Sequence, residues 1–383
     1  MFEFDEAERM LREQASKFAK RELAAGSKER AKQDTVDREI FRKIGKLGYT
    51  GLGIPEKFGG QEATWVDRGI VLEELSRADF NVGSLTAHTQ NMAAMVSRAS
   101  EEVAMEYVPF LISTDKVCSA AISEPDCGSD VGRIRTRATK NGDCYIINGE
   151  KTSVTRGTYA DVCLVFARTG HGLGTRGLSM LLVPQDFPGV TISALNDMGC
   201  HSMGRAIINF EDVKVPTKYR IGDEGQAFSK QFAGHVDQGR AIIGLTVLSA
   251  SQASLDETIA YAKQRIAFGR IIAKYEGISF KIAEAATLIE AAKWLCYRTL
   301  WLGDKGLPSF KEGAMCKWWC PQIATDIIHN CLRICGHVAY TEELPIEQRL
   351  RDVIGFEFAD GTAEMMKLNI ARVIIGKEAL PYI

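Results

Sequence analysis

The chain has 383 residues, of which 45% are hydrophobic and 25% charged, with a formal net charge of −2. That length exceeds what a single hydrophobic core normally serves, so two or three domains sharing large interfaces are expected. The near-neutral balance gives no general attraction to phosphate backbones or anionic lipid, which argues against nucleic acid and membrane as partners.

The opening segment, MFEFDEAERM, is acidic and amphipathic and lacks the basic end and apolar run of a secretion signal. No later run is long and apolar enough to suggest a bilayer span, so a cytoplasmic location is expected. From Phe2 to about Ile112 apolar residues recur every three or four positions, as in Met10, Leu11, Phe18 and Leu23, which predicts helices. The glycines and Pro55 of Gly51 to Gly60 interrupt them with a loop.

From about Val117 the texture changes to short β-branched runs separated by turn signals such as Asn141-Gly142 and Asn148-Gly149, predicting a compact antiparallel sheet domain. After Gly225 the helical period returns, with Ile278, Ile282, Ala285, Leu288, Ile289, Ala292 and Leu295 along one stripe of a long, mostly buried helix. The expected fold is mainly α with a central β domain: an N-terminal helical domain (1–115), a small antiparallel, barrel-like β domain (116–222) and a C-terminal helical bundle (223–383). No G-x-G-x-x-G follows a strand, so a Rossmann nucleotide site is not supported. The ten cysteines fit reduced thiols. Cys316 and Cys320, like Cys331 and Cys335, are spaced i, i+4 in helical sequence, a packing pattern rather than the C-x2-C turn of structural zinc.

Six segments carry residues suited to chemistry. In AISEPDCGSD, Ala121 to Asp130, Ser123 offers a hydroxyl at a strand end, and Gly128, Ser129 and Asp130 offer backbone N–H groups at a bend, although such a cluster is by itself an ordinary turn. KTSVTRG, Lys151 to Gly157, presents Thr155 after a strand. In VDQGR, Asp237 and Arg240 stand at i, i+3, the spacing of a surface ion pair. In YAKQRIAFGR, Arg265 and Phe268 read as three apart on one helical face capped by Gly269. RICGHVAY places Arg333 and Gly336 at a helix end. In FADGTAEMM, Asp360 precedes Gly361-Thr362 and a final helix, where Asp or Thr could equally be a cap.

Taken together, in this order and over nearly the whole chain, these segments resemble the flavin-dependent acyl-CoA dehydrogenases. The resemblance implies FAD as cofactor, with Ser123, Ser129, Thr155, Arg265, Phe268, Arg333, Gly336, Thr362 and Glu364 around it. It implies that Arg265 and Phe268 reach a neighbouring subunit's FAD within a homotetramer built as a dimer of dimers. Ser129, Asp237 and Arg240 would hold coenzyme A, Asp360 would take the substrate α-proton, and electron-transfer flavoprotein would receive the electrons. The chain departs from the family pattern at Cys127, at Ser153 for an aromatic residue, at Glu276 and Arg333 for glutamines, at His337 for a glycine, at Ala359 for tyrosine, and at Asp360 for the more common glutamate.

Ser153, Ala359 and Asp360 all exchange bulk for space. A carboxylate one methylene shorter draws back by roughly 1.5 Å, one C–C bond. The expectation is therefore a bulky, branched or alicyclic acyl group such as cyclohexane-1-carboxyl-CoA. A nitroalkane-oxidase-like carbon-acid oxidase, an enoyl-CoA reductase running in reverse, and a scaffold that only binds a partner stay open beside it. His88 and Gln90 could face the acyl chain or simply cap and pack.

Overall fold

The computed structural model describes residues 3–170, 172, 174–228 and 236–379. The first third is helical: α1 (Glu6–Phe18), α2 (Ser27–Ala31), α3 (Arg38–Lys46), α4 (Trp65–Ala78), α5 (Phe80–Val96) and α6 (Glu101–Ile112). Helices start where short polar side chains can take the free amides of the first turn. Asp5 with Glu8, and Thr64 with Asp67, form reciprocal capping boxes at α1 and α4, while Asp37, Asp79 and Ser100 cap α3, α5 and α6. The segment from Gly51 to Gly60 is a loop with short 3-10 turns, as its glycines and Pro55 require.

Among the described residues the middle of the chain forms eight strands: β1 (Cys118–Ala121), β2 (Arg137–Asn141), β3 (Cys144–Val154), β4 (Val162–Arg168), β5 (Leu178–Pro184), β6 (Val190–Ala194), β7 (Ala206–Pro216) and β8 (Arg220–Ile221). They pair in the order β6-β7-β3-β2-β4-β5-β8, with β1 against β4. The sheet is antiparallel-rich rather than wholly antiparallel, because β1 and β2 both meet β4 in parallel. The β2–β3 hairpin and the turn after it give enough chain to bring β4 back in the direction of β1.

Asn141-Gly142 is a turn, but Asn148-Gly149 is not. There β3 continues through a bulge against β7, with Gly149 at φ 146°. A Cβ at Gly149 would lie 2.5 Å from Thr136 Oγ1, so glycine serves a close approach rather than a reversal.

The remainder comprises α7 (Val236–Gln264), a hairpin of β9 (Ile266–Ala267) and β10 (Arg270–Ile271), α8 (Glu276–Asp304), α9 (Phe310–Cys335), α10 (His337–Tyr340), α11 (Ile346–Ile354) and α12 (Ala363–Ile374). Among the described residues no helix is long and apolar enough to cross a membrane. The stripe on α8 is buried at Ala285, Ile289 and Ala292, but Leu288 on it and Phe280 beside it are exposed, so the early part of that helix is not internal.

Two cores result. One joins α1, α3, α4 and most of α5 to α7, α8, α9 and α11, so the first and last thirds of the chain share one interior. The other lies between the sheet and α6, with Met92, Ala93 and Val96 from the end of α5. Helix α5 therefore belongs to both. Cys316, Cys320, Cys331 and Cys335 pack in the helical core, as their spacing predicts.

Candidate functional site

The turn after β1 is built on a buried ion pair. Lys151 Nζ, fully buried on β3, donates to Glu124 Oε1 at 2.9 Å and to the Ile122 carbonyl at 2.8 Å. Burial lowers the Lys151 pKa, with Glu124 opposing. Burial pushes Glu124 upward, but hydrogen bonds from Thr136 and Arg135 and the Lys151 charge hold it below the ordinary range. Thr152 N donates to Ser123 O, tying the turn to the end of β3.

The loop is thus fixed from beneath, while Gly128, Ser129 and Asp130 remain exposed and Ser123 half-buried. A cavity of about 310 Å³ opens beside it, lined in part by Pro125, Asp126, Arg133 and Arg135. At the end of β3 a second bulge lies between Lys151 and Val154, with Ser153 exposed at φ 54° and Thr155 half-buried. The next residue, Arg156, is buried and donates across to α5, at Thr89 Oγ1 and the Leu85 carbonyl.

A second group converges from the C-terminal helices. On the first turn of α7, Asp237 and Arg240 pair at 3.3 Å with side chains only 19% and 13% exposed, so this is not the solvated surface pair that its spacing alone suggests. Burial raises Asp237 against the pull of Arg240. Burial lowers Arg240, against the charges of Asp237 and Asp360. From α9, the fully buried Lys317 ammonium donates to the Phe356 carbonyl at 2.7 Å and the Gly361 carbonyl at 3.0 Å, on either side of Asp360.

Burial lowers the Lys317 pKa to about 8, with Asp360 opposing and Arg240 adding to the fall. Asp360 itself sits in the left-handed region at φ 55° with an exposed side chain. It does not cap the final helix. Thr362 does, accepting from Met365 N, while Glu364 lies exposed in the first turn of α12. A carboxylate held in an unfavoured backbone conformation and released from capping is free for another task.

The third group is set apart. Helix α7 ends at Gln264, so Arg265 and Phe268 do not share a helical face as the three-residue spacing predicts. Phe268 and Gly269 form the tip of the β9–β10 hairpin at φ 49° and 80°, and the Phe268 ring is 98% exposed. Tyr275 Oη, donating to Ala267 O at 2.8 Å, and Ile272 N, donating to Arg265 O, brace the hairpin. Arg333, near the end of α9, is exposed, and Gly336 closes that helix at φ 70° with nothing within 4 Å of where a Cβ would stand. Among the described residues no hydrogen bond or ion pair ties the side chains of Arg265, Phe268 or Arg333 to either of the other groups.

The donor set suits a flavin dinucleotide. Hydroxyls at Ser123, Thr155 and Thr362 and open backbone at Gly128 match a polar ring edge. Exposed guanidinium groups at Arg265 and Arg333 match a pyrophosphate.

Sequence reasoning missed the groups that hold these residues: Glu124, Lys151, Arg156 and Lys317. A lysine within a helical or strand pattern reads as surface, and only a buried polar network reveals otherwise. Gln90 has a structural role, accepting from Arg68 Nε and donating to the Tyr49 carbonyl. His88 is held neutral by burial and by Arg156 and Arg205 nearby.

Comparison with known proteins agrees with this layout. The acyl-CoA dehydrogenase N-terminal, middle and C-terminal domains match residues 5–115, 119–213 and 230–375. A probable acyl-CoA dehydrogenase, YngJ, of Bacillus subtilis is 34% identical over 98% of this chain and 99% of its own. The caffeyl-CoA reductase-Etf complex subunit CarC of Acetobacterium woodii is 32% identical over 98% of this chain and all of its own. Butyryl-CoA dehydrogenase from Megasphaera elsdenii superposes with a TM-score of 0.92 at 28% identity, covering 98% of this chain and 100% of that one. With relatives above 30% identity spanning it nearly end to end, the chain belongs to the acyl-CoA dehydrogenase family and is an FAD-dependent oxidoreductase acting on the CH–CH bond of an acyl-CoA.

Proposed function

We propose that this enzyme dehydrogenates a bulky, branched or alicyclic acyl thioester, of which cyclohexane-1-carboxyl-CoA is the type, with Asp360 as the base for the α-proton. The observation that carries the assignment of the base is the position of Asp360. It lies in the electrostatic field of both Arg240 and Lys317, outside any cap, on a turn whose flanking carbonyls are pinned. A hydrogen α to a thioester is a weak acid in water, so a base must be aimed at it while fixed donors stabilise the developing enolate oxygen. The pinned turn supplies the aim. Bound FAD supplies the acceptor for the hydride that leaves the β-carbon, with Ser123, Thr155 and Thr362 holding it.

Asp237, Arg240 and Ser129 hold the coenzyme A arm in this reading, so that binding far from the reacting carbons positions them. Arg240 Nε is buried without a partner among the described residues, which leaves a donor for that arm. The substrate class rests on lost bulk: Ser153 is exposed where the family carries an aromatic ring, Ala359 stands beside Asp360, and the base is short.

Arg265 and Phe268 serve the FAD of a neighbouring subunit in a homotetramer. Support for this is the braced hairpin with its bare Phe268 ring and the exposed apolar residues Ile266 and Phe280 nearby in the chain. Electron-transfer flavoprotein is the proposed acceptor, a role that the name of the CarC relative supports.

The test is an anaerobic spectral titration of the FAD-loaded protein with butyryl, octanoyl, isobutyryl and cyclohexane-carboxyl thioesters and with nitroethane. Bleaching of the yellow colour by the cyclic and branched thioesters is expected. Preference for the linear pair would end the substrate assignment, and a response to nitroethane alone would replace the thioester reading altogether.

A further inference from the structure

Arg168, the last residue of β4, takes no part in the chemistry above, yet it uses every hydrogen-bond donor that it has. Its Nε donates to the Ile134 carbonyl at 3.3 Å, one terminal nitrogen to Gly172 O at 2.8 Å and Arg176 O at 3.3 Å, and the other to Gly132 O at 2.8 Å and Gly174 O at 3.1 Å. A guanidinium offers five N–H groups, and here five backbone carbonyls take them. All five acceptors lie outside the strands, where no ladder partner can satisfy a carbonyl.

Those carbonyls belong to two segments. Gly132 and Ile134 lie in the turn that follows Ser129 and Asp130, and Gly172, Gly174 and Arg176 lie in the connection between β4 and β5. The two segments meet at glycine: a Cβ on Gly132 would stand 3.0 Å from Gly174 Cα, too close for either backbone to stay where it is. The far end of the connection is tied in turn to the chain that leads into α7, because Gly177 N donates to Gly225 O and Gly225 N to the buried Ser179 Oγ. Arg168 therefore stands at the junction between the Ser129 turn and the approach to the helix that carries Asp237 and Arg240.

We propose that Arg168 is a positioning residue for the coenzyme A arm, acting by holding the Ser129 turn against the β4–β5 connection. The proposal rests on the reading that Ser129, Asp237 and Arg240 grip that arm. The Lys151–Glu124 pair secures the start of the loop that bears Ser129, and Arg168 secures its end. Ser129 is itself exposed, so its aim depends on these two anchors. Because the grip lies away from the reacting carbons, loosening it should raise KM and spare kcat.

Butyryl and cyclohexane-carboxyl groups, each presented to the FAD-loaded protein as the CoA thioester and as the N-acetylcysteamine thioester, which lacks most of the arm, separate the outcomes. Arg168→Met should raise KM for the CoA thioesters by about five- to ten-fold, the contribution of one hydrogen bond to the arm. Turnover at saturation, the FAD spectrum and the kinetics of the N-acetylcysteamine thioesters should not change. Arg168→Lys, with three donors in place of five, should fall between parent and Arg168→Met. Should Arg168→Met fail to fold or to hold FAD, Gly132→Ala, which wedges the two segments apart with Arg168 in place, reads the same split. An unchanged KM, or an equal loss on both kinds of thioester, would overturn the proposal. A parent protein that does not prefer the CoA thioesters over the shorter ones would instead overturn the reading of the arm itself, and the proposal with it.

Discussion

The Asp360 turn and the Phe268 hairpin both stand at backbone positions that side chains seldom adopt, φ 55° and 49°, yet their surroundings are opposite. Asp360 is braced by its own chain: Lys317 holds the carbonyls around it, and Arg240 lies within its field. Phe268 is presented on a hairpin just as firmly braced, but nothing covers the ring. One chain thus holds the proposed base in place but leaves the Phe268 ring in water, where an apolar ring is least stable. We propose that the base half of the site is complete in one chain and that the dinucleotide half is completed by a second.

Substitution of the proposed base, Asp360, should have the most severe consequence. Asp360→Asn keeps the size and the pinned turn and removes the proton acceptor. Turnover should fall by about 10²- to 10⁴-fold, the range of a positioned general base, while FAD remains bound and assembly is unchanged. Stopped-flow reduction and the visible spectrum read both at once. Loss of FAD with the activity would instead make Asp360 part of the cofactor cradle. Asp360→Glu sharpens the point, because restoring one methylene should move preference from cyclic toward linear thioesters.

Lys317 comes next, through pH. Burial first, then Arg240, lowers its pKa from 10.5 to about 8, against the pull of Asp360. The unfolded chain therefore binds more protons than the folded one between those values, so stability rises with pH across about 8 to 10.5. The full excursion is about 3 kcal/mol. Lys317→Met should remove that rise, and it should lower turnover more than it changes KM, since the turn beside Asp360 loses its pin. Thermal melts of the two proteins between pH 7.5 and 10.5 that run parallel would show that the ammonium is not held as described.

Much of the fold was legible because period and composition report backbone directly: the three- and four-residue spacing around Phe18 and Ile44, and the β-branched runs of β4 and β5, are local signals. The misreadings have one cause, tertiary context overriding a local sign. Asn148-Gly149 has hairpin chemistry, but pairing of β3 with β7 on both sides turns it into a bulge. Tyr261 to Arg270 has helical spacing, yet Gly269 at φ 80° makes a two-strand tip.

For the site, the sequence showed chemistry-bearing residues at the surface of turns and concealed the ones that hold them. Lys151, Lys317 and Arg156 are buried cations, and residue type alone argues for exposure. Nor could spacing show that Arg240, more than a hundred residues from Asp360, shares its electrostatic field.

The smallest expected effect lies at the hairpin and separates its role from that of the base. Phe268→Ala removes a ring that is 98% exposed, so the isolated fold should lose almost nothing in stability. If the ring packs on a neighbouring subunit's cofactor, the loss is one aromatic contact, about 1 kcal/mol and several-fold in FAD affinity. Arg265→Ala should add a salt-dependent loss of similar size, since a guanidinium on a pyrophosphate is a charge-assisted contact. Because the base is untouched, the protein that still carries FAD should reduce it at the parental rate. FAD content after gel filtration, paired with single-turnover reduction of the loaded fraction, distinguishes the outcomes. A slower reduction with full FAD occupancy would mean that the hairpin acts on the chemistry of its own chain, and the division between a self-contained base and a shared cofactor grip would not hold.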